Sequence, residues 1–69
     1  MGGLKTWVVK TTSDDPDIVA YTLYEIAQGE GVSVEVYPHE SSLTVESYAP
    51  VYRVEKVLDE LGEPYARED

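Results

Sequence analysis

The sequence predicts an α+β two-layer sandwich, in which two helices cover one face of an antiparallel sheet. Valine-rich segments on both sides of a turn alternate apolar and polar residues, and two other segments carry apolar residues at helical spacing. Alternation is typical of a half-buried strand, and the i, i+3, i+4 pattern is typical of a surface helix. A chain of 69 residues is the size of one small domain, so we predict a single domain over 1–69.

A β-hairpin is predicted in the middle of the chain, with strands over 32–37 and 43–48 and turn-forming residues over 38–42. Successive strand residues point to opposite faces, so the apolar members share one face. These members are Val32, Val34, Val36, Leu43 and Val45. A lone hairpin is marginally stable in water, so this one requires a further strand and a helical cover.

A β-branched and aromatic run over 4–10 predicts the first strand. We expect Trp7 to face the core, because the alternate positions then give a more polar open face. The reverse orientation is the alternative. The favoured orientation also predicts that Lys10 lies among Glu35 and Glu46 on the open face.

The first helix is predicted to begin after Asp15 as N-cap, with Pro16 at its first position, and to run to about Gln28. Gly29 and Gly31 are expected to end it. One side of the helix is apolar, which predicts burial of that side. Its members are Val19, Ala20, Leu23, Ile26 and Ala27.

The second helix is predicted to start at Pro50 and to end near Leu61, where Gly62 stops it. Lys56 and Glu60 are expected to pair at i, i+4 on its exposed side. The buried stripe consists of Val51, Val54, Val57, Leu58 and Leu61.

The tail after the second helix either adds an edge strand around 65–66 or frays, and we expect fraying at 1–3 and 66–69. The element order is therefore β-α-β-β-α, with a last β left open. This order predicts the ferredoxin-like arrangement, in which the third strand lies beside the first and both helices lie on one face.

The chain is strongly acidic, with 14 acidic and 5 basic residues and a formal charge of -9. Direct nucleic-acid binding requires a lysine and arginine footprint, and anionic membranes attract the same residues, so both are disfavoured. A basic protein partner suits this charge.

Without cysteine there is no disulfide and no thiolate to bind zinc. No apolar run reaches the length of a membrane span, so we expect a cytoplasmic protein.

Two groups of residues are weighed for chemistry. Asp14, Asp15 and Asp17 are oxygen ligands of the kind that calcium or magnesium binds, but the calcium-loop pattern is absent and helix capping explains two of them. His39 lies in the turn beside Glu40 and two serines, and neighbours in a turn are not held in a catalytic geometry. We therefore expect no metal, no cofactor and no enzyme activity.

The candidate partner-binding surface is the open face of the sheet, represented by Glu35, Tyr37, Glu46 and Tyr48. Half-exposed tyrosines are enriched at interfaces, although tyrosines also simply cover sheets. An unpaired strand edge predicts a homodimer.

The leading hypothesis is a non-enzymatic protein-interaction or regulatory module. The alternatives are an acidic nucleic-acid mimic of viral or mobile-element type and a small-molecule-sensing regulatory domain. High-salt adaptation or plain solubility would also explain the acidity.

Segments 9–16 (VKTTSDDP), 31–34 (GVSV) and 54–61 (VEKVLDEL), with the helix over 19–26, resemble small prokaryotic signal-transducing proteins. Those proteins have a PII-like, ferredoxin-like fold, so the resemblance implies the same fold here. The connection between the hairpin strands is shorter in this chain than in that family. The biochemical role of the family is ill defined, so the resemblance assigns no functional residue.

Overall fold

A four-stranded antiparallel sheet and two helices make up the fold, in a computed structural model that describes residues 3–68. The elements are β1 (Lys5–Lys10), α1 (Pro16–Glu30), β2 (Glu35–Pro38), β3 (Ser42–Ser47), α2 (Val51–Leu61) and β4 (Tyr65–Arg67). The strands lie in the order β2-β3-β1-β4, and every neighbouring pair is antiparallel. The third strand therefore lies beside the first, and the predicted α+β, ferredoxin-like sandwich is confirmed.

The core lies between the helices and one face of the sheet. Trp7 and Val9 from β1 are completely buried, so the favoured orientation of the first strand is confirmed. The other buried apolar side chains are Val19, Ala20, Leu23, Ala27, Val32, Val34, Val36, Leu43, Val45, Val54, Val57 and Leu58. Ile26, Val51 and Leu61 pack at the rim of this cluster. Both predicted helical stripes thus face the sheet.

Helix α1 begins as predicted, because the Asp15 carboxylate accepts hydrogen bonds from the backbone N–H groups of Asp17 (3.1 Å) and Ile18 (3.4 Å). The helix ends later than Gln28. Gly29 lies inside it, and the chain leaves at Gly31, which adopts φ 72° and closes the last turn. A left-handed φ is the conformation that glycine alone adopts at no steric cost.

Helix α2 follows Pro50, whose carbonyl accepts the first backbone hydrogen bonds of the helix, and it ends at Gly62 with φ 83°. The predicted pairing partner of Lys56 is wrong. Its Nζ atom lies 3.4 Å from Oε1 of Glu30, at the end of α1, so the ion pair joins the two helices. The packing of α1 against α2 brings this acid close, which helical spacing within α2 does not reveal.

The hairpin is present but its first strand is shorter than predicted. β2 begins at Glu35, although Val32 and Val34 are buried as expected. The hydroxyl of the buried Ser47 donates to the carbonyl of Ser33 (2.7 Å), so a side chain satisfies a backbone group there in place of a ladder hydrogen bond. β3 runs from Ser42 to Ser47 and stops before Tyr48.

The tail after Gly62 forms the fourth strand. β4 pairs with β1 through Trp7↔Arg67, Val8↔Ala66 and Val9↔Tyr65, and the N–H of Glu68 donates to the carbonyl of Thr6 (2.8 Å). Residues 66–68 are therefore held by hydrogen bonds instead of frayed. Positions 1, 2 and 69 lie outside the described residues. Neither helix in residues 3–68 is long and apolar enough to span a membrane.

Candidate functional site

The register of the sheet sets the residues of the open face in three rows that run across the strands. The acidic row contains Glu35 on β2, Glu46 on β3, Thr6 on β1 and Glu68 after β4. The middle row contains Tyr37, Thr44, Val8 and Ala66, and the third contains Ser42, Lys10 and Pro64. Neighbouring strands lie about 5 Å apart, so the acidic row extends over roughly 15 Å.

Two glutamates of the acidic row lie directly opposite each other on β2 and β3. Glu35 is the Cα partner of Glu46, and in residues 3–68 neither carboxylate forms a salt bridge. Like charges directly opposite on neighbouring strands repel and destabilise the pair. The Glu46 carboxylate, desolvation and Glu35, in that order, raise the pKa of the neighbouring Tyr37. The negative potential at this end of the open face therefore comes from these two carboxylates as well as from the net charge of the chain.

A shallow cleft of about 140 Å³ lies beside this pair of carboxylates. Glu35, Glu46, Tyr48 and Leu4 are among its lining residues. Tyr48 follows β3 and is 70% exposed. The structure thus brings three of the four predicted partner-binding residues around one cleft, and Tyr37 lies in the next row.

The predicted place of Lys10 is wrong. Lys10 is the Cα partner of Ser42, whereas Glu46 is the partner of Thr6, four positions earlier on β1. Four strand residues correspond to about 13 Å, so Lys10 lies at the opposite end of the open face from the Glu35–Glu46 pair. The sequence pattern identifies which face a strand residue is on, but the position along the sheet depends on the register.

Other basic side chains are engaged away from the acidic row. Nζ of Lys5 donates to the carbonyls of Gly3 and Ala49, each at 3.2 Å. Nη2 of Arg53 donates to the carbonyl of Glu30 at 2.7 Å, and Lys56 pairs with the side chain of Glu30. These cations stabilise helix ends and loops, and no basic side chain of residues 3–68 forms an ion pair with Glu35 or Glu46.

Two of the residues considered as possible catalytic or metal-binding groups, Asp15 and His39, have structural partners. Asp15 caps α1, and within residues 3–68 no group of three or more acidic, histidine or cysteine side chains is arranged to hold a metal ion. Asp14 and Asp17 are exposed beside the cap. Nε2 of His39 lies 2.8 Å from Oγ1 of Thr44, which ties the exposed hairpin connection to β3.

Two features of the open sheet were not predicted from the sequence. Glu68 joins the acidic row because β4 forms, and assigning a strand to 65–67 would have placed Glu68 and Ala66 on one face by alternation. The hydroxyl of Tyr24 on α1 accepts a hydrogen bond from the backbone N–H of Val36 on β2 (3.1 Å). No local pattern signals that contact, because it joins a helix flank to a strand edge.

No protein-family model matches the sequence, and no curated protein is significantly similar to it.

Proposed function

We propose that this protein is a non-enzymatic, cytoplasmic interaction module that binds a basic segment of a partner protein on the open face of its sheet. The observation that supports the proposal is the Glu35–Glu46 pair, two acidic residues directly opposite each other on adjacent strands, where like charges are expected to repel. A lysine or arginine placed between them would relieve that repulsion. Binding a basic side chain would therefore also remove an unfavourable interaction within the domain.

The surroundings of the pair suit such a side chain. An aromatic residue, Tyr48, and an apolar residue, Leu4, are among the residues that line the adjacent cleft. Lysine and arginine bury their aliphatic stems against apolar surface while the charged group stays at the polar end, and both also bind over aromatic rings.

The proposal is tested with a fluorescent peptide rich in lysine and arginine, whose binding is measured by anisotropy and mapped by NMR chemical shifts. We expect shifts at Glu35, Tyr37, Glu46 and Tyr48, and an affinity that falls as salt is added. Peptide binding to the wild type that leaves these four positions unshifted would exclude the site.

The decisive comparison uses two double variants of equal charge. Glu35→Gln with Glu46→Gln is expected to weaken binding roughly tenfold at low salt, since exposed ion pairs contribute about 0.2–1 kcal/mol each. Glu25→Gln with Glu40→Gln removes the same charge from exposed positions off the site. Equal losses in both double variants would mean that net charge alone attracts the peptide, and the proposal would fail.

A further inference from the structure

The two edges of the sheet differ in how their outward backbone groups are satisfied. On β2, Glu35 and Tyr37 face β3, so the backbone of Val36 faces outward. Its N–H donates to the hydroxyl of Tyr24, and Pro38, the next outward position, has no N–H. A tyrosine from the helix layer and a proline therefore close this edge against another strand.

The opposite edge is built differently. The N–H of Lys10 donates to the carbonyl of Pro64 (2.9 Å), and the N–H of Glu68 donates to the carbonyl of Thr6 (2.8 Å). In an antiparallel ladder the residues that exchange these bonds alternate with residues whose backbone points away. Ala66 therefore faces β1, and the backbone of Tyr65 faces the outer edge, as does that of Arg67. No proline occupies an outward position of β4.

We propose that the β4 edge pairs with the β4 edge of a second copy of this chain, antiparallel, about a two-fold axis that passes beside Ala66. Each Tyr65 then lies opposite the second copy's Arg67, so residues of outward-facing backbone meet in register. The two Ala66 side chains meet on the open face, where they are small and exposed. The four-stranded sheet of each copy continues into the other.

Charge at this edge fits a second copy although the chain as a whole is acidic. Two of the five basic residues, Arg67 and Lys10, lie at or next to β4, where the acids are Glu63, Glu68 and the Asp59 that accepts from Tyr65. In the proposed register Glu68 lies opposite the second copy's Pro64, which pairs with Lys10. The acidic row of one copy therefore runs into the row of the other copy that contains lysine.

The same register keeps the two acidic rows apart. Because the axis passes beside Ala66, the Glu68 residues of the two copies are offset by four strand positions, about 13 Å. That separation exceeds the screening length of about 8 Å at physiological ionic strength. What remains is long-range repulsion between two chains of charge -9, and salt weakens it. We therefore expect self-association to strengthen as salt is added.

The test is sedimentation equilibrium and NMR diffusion over a range of concentration and salt. A short edge buries little surface, so we expect a dimer with a dissociation constant on the order of 0.1–1 mM that tightens with salt. A wild-type protein that stays monomeric at about 1 mM in both low and high salt would overturn the proposal. This salt response is opposite to that of the basic peptide, so the two proposals fail separately.

Ala66→Lys and Ala66→Glu place identical charges across the axis, so each is expected to abolish the dimer. Their exposed position leaves the core intact, which thermal melts of the dilute proteins verify. Thr44→Lys and Thr44→Glu are the controls, two strands away on the same face, and should only shift the association slightly in opposite directions. If Ala66→Lys still dimerises while Ala66→Glu does not, net charge explains the result and the axis is wrong.

Discussion

Along β3, Leu43 and Val45 are completely buried against the helices, whereas their neighbours Thr44 and Glu46 are half-buried on the open face. Four consecutive residues thus divide between a dry apolar layer and a wet acidic one. The dry layer holds the fold together, because apolar burial is the dominant favourable term in folding. The wet layer tolerates the Glu35–Glu46 repulsion because water solvates both carboxylates. The comparison indicates that the stability and the proposed binding of this domain lie on opposite faces of one sheet.

The largest difference in stability between the two faces is expected when a methyl group and a hydroxyl group are exchanged on β3. Val45→Thr buries a hydroxyl without a partner and should lower the free energy of unfolding by about 1–3 kcal/mol. Urea denaturation measures this change.

Thr44→Val is the matched control, the reverse exchange one residue away. It loses the contact of Thr44 with His39 but buries no polar group, so we expect a change of less than about 1 kcal/mol. Equal losses for the two variants would contradict the division of the sheet into a dry and a wet face.

A smaller loss of unfolding free energy is expected when the one hydrogen-bond acceptor of a buried indole is removed. Nε1 of the fully buried Trp7 donates to Oε2 of Glu55 on α2 at 3.1 Å. Glu55→Ala leaves that indole N–H without its acceptor and should cost about 1–2 kcal/mol. Glu55→Gln keeps an acceptor and should cost clearly less. If the two variants unfold at the same urea concentration, this hydrogen bond does not stabilise the core.

The contribution of Tyr65, at the rim of the dry layer, can be measured from the pH dependence of stability. Its hydroxyl donates to the carboxylate of Asp59 at 2.8 Å, which, with desolvation, raises the pKa of Tyr65 to about 12. The folded pKa lies above the unfolded value of about 10, so this stabilisation is complete below pH 10 and is lost as pH rises toward 12.

Tyr65→Phe removes this stabilisation, so its urea midpoint should fall less between about pH 10 and 12 than that of the wild type. Tyr52→Phe, at a position that is 75% exposed, is the control and should behave like the wild type. A Tyr65→Phe variant with the full alkaline loss would show that other groups cause it.

The smallest effect is expected on the wet face. Glu46→Gln removes the like charge opposite Glu35, so the protein should become more stable by about 0.2–1 kcal/mol. The pKa of Tyr37 should fall toward its ordinary value, because Glu46 is the main cause of its increase. NMR titration of the tyrosine rings measures this pKa. Glu40→Gln, in the exposed hairpin connection, should leave it nearly unchanged, and an equal response would refute the local origin of the potential.

Much of the fold could be predicted because its signals are local. The alternation over Leu43 and Val45, the Asp15 cap and the Gly62 stop each act within a few residues, and each is confirmed. The candidate face could be predicted for the same reason, since Glu35 and Glu46 alternate with buried valines. The errors at Lys10 and Lys56 both concern which distant residue lies beside a given side chain. A period-2 pattern is unchanged by a slip of two residues, so it does not determine the register.

By itself, the sequence determined the order of the first five elements, the buried stripes, the faces of the hairpin residues and the acidic character of the chain, because these depend on spacing and composition. Only the tertiary structure decided that Glu35 meets Glu46, that Glu68 extends their row and that Lys10 lies at the far end. It also decided which sheet edge Tyr24 closes. Such pairings join residues far apart in the chain, and they follow from the packing of whole strands and helices against one core.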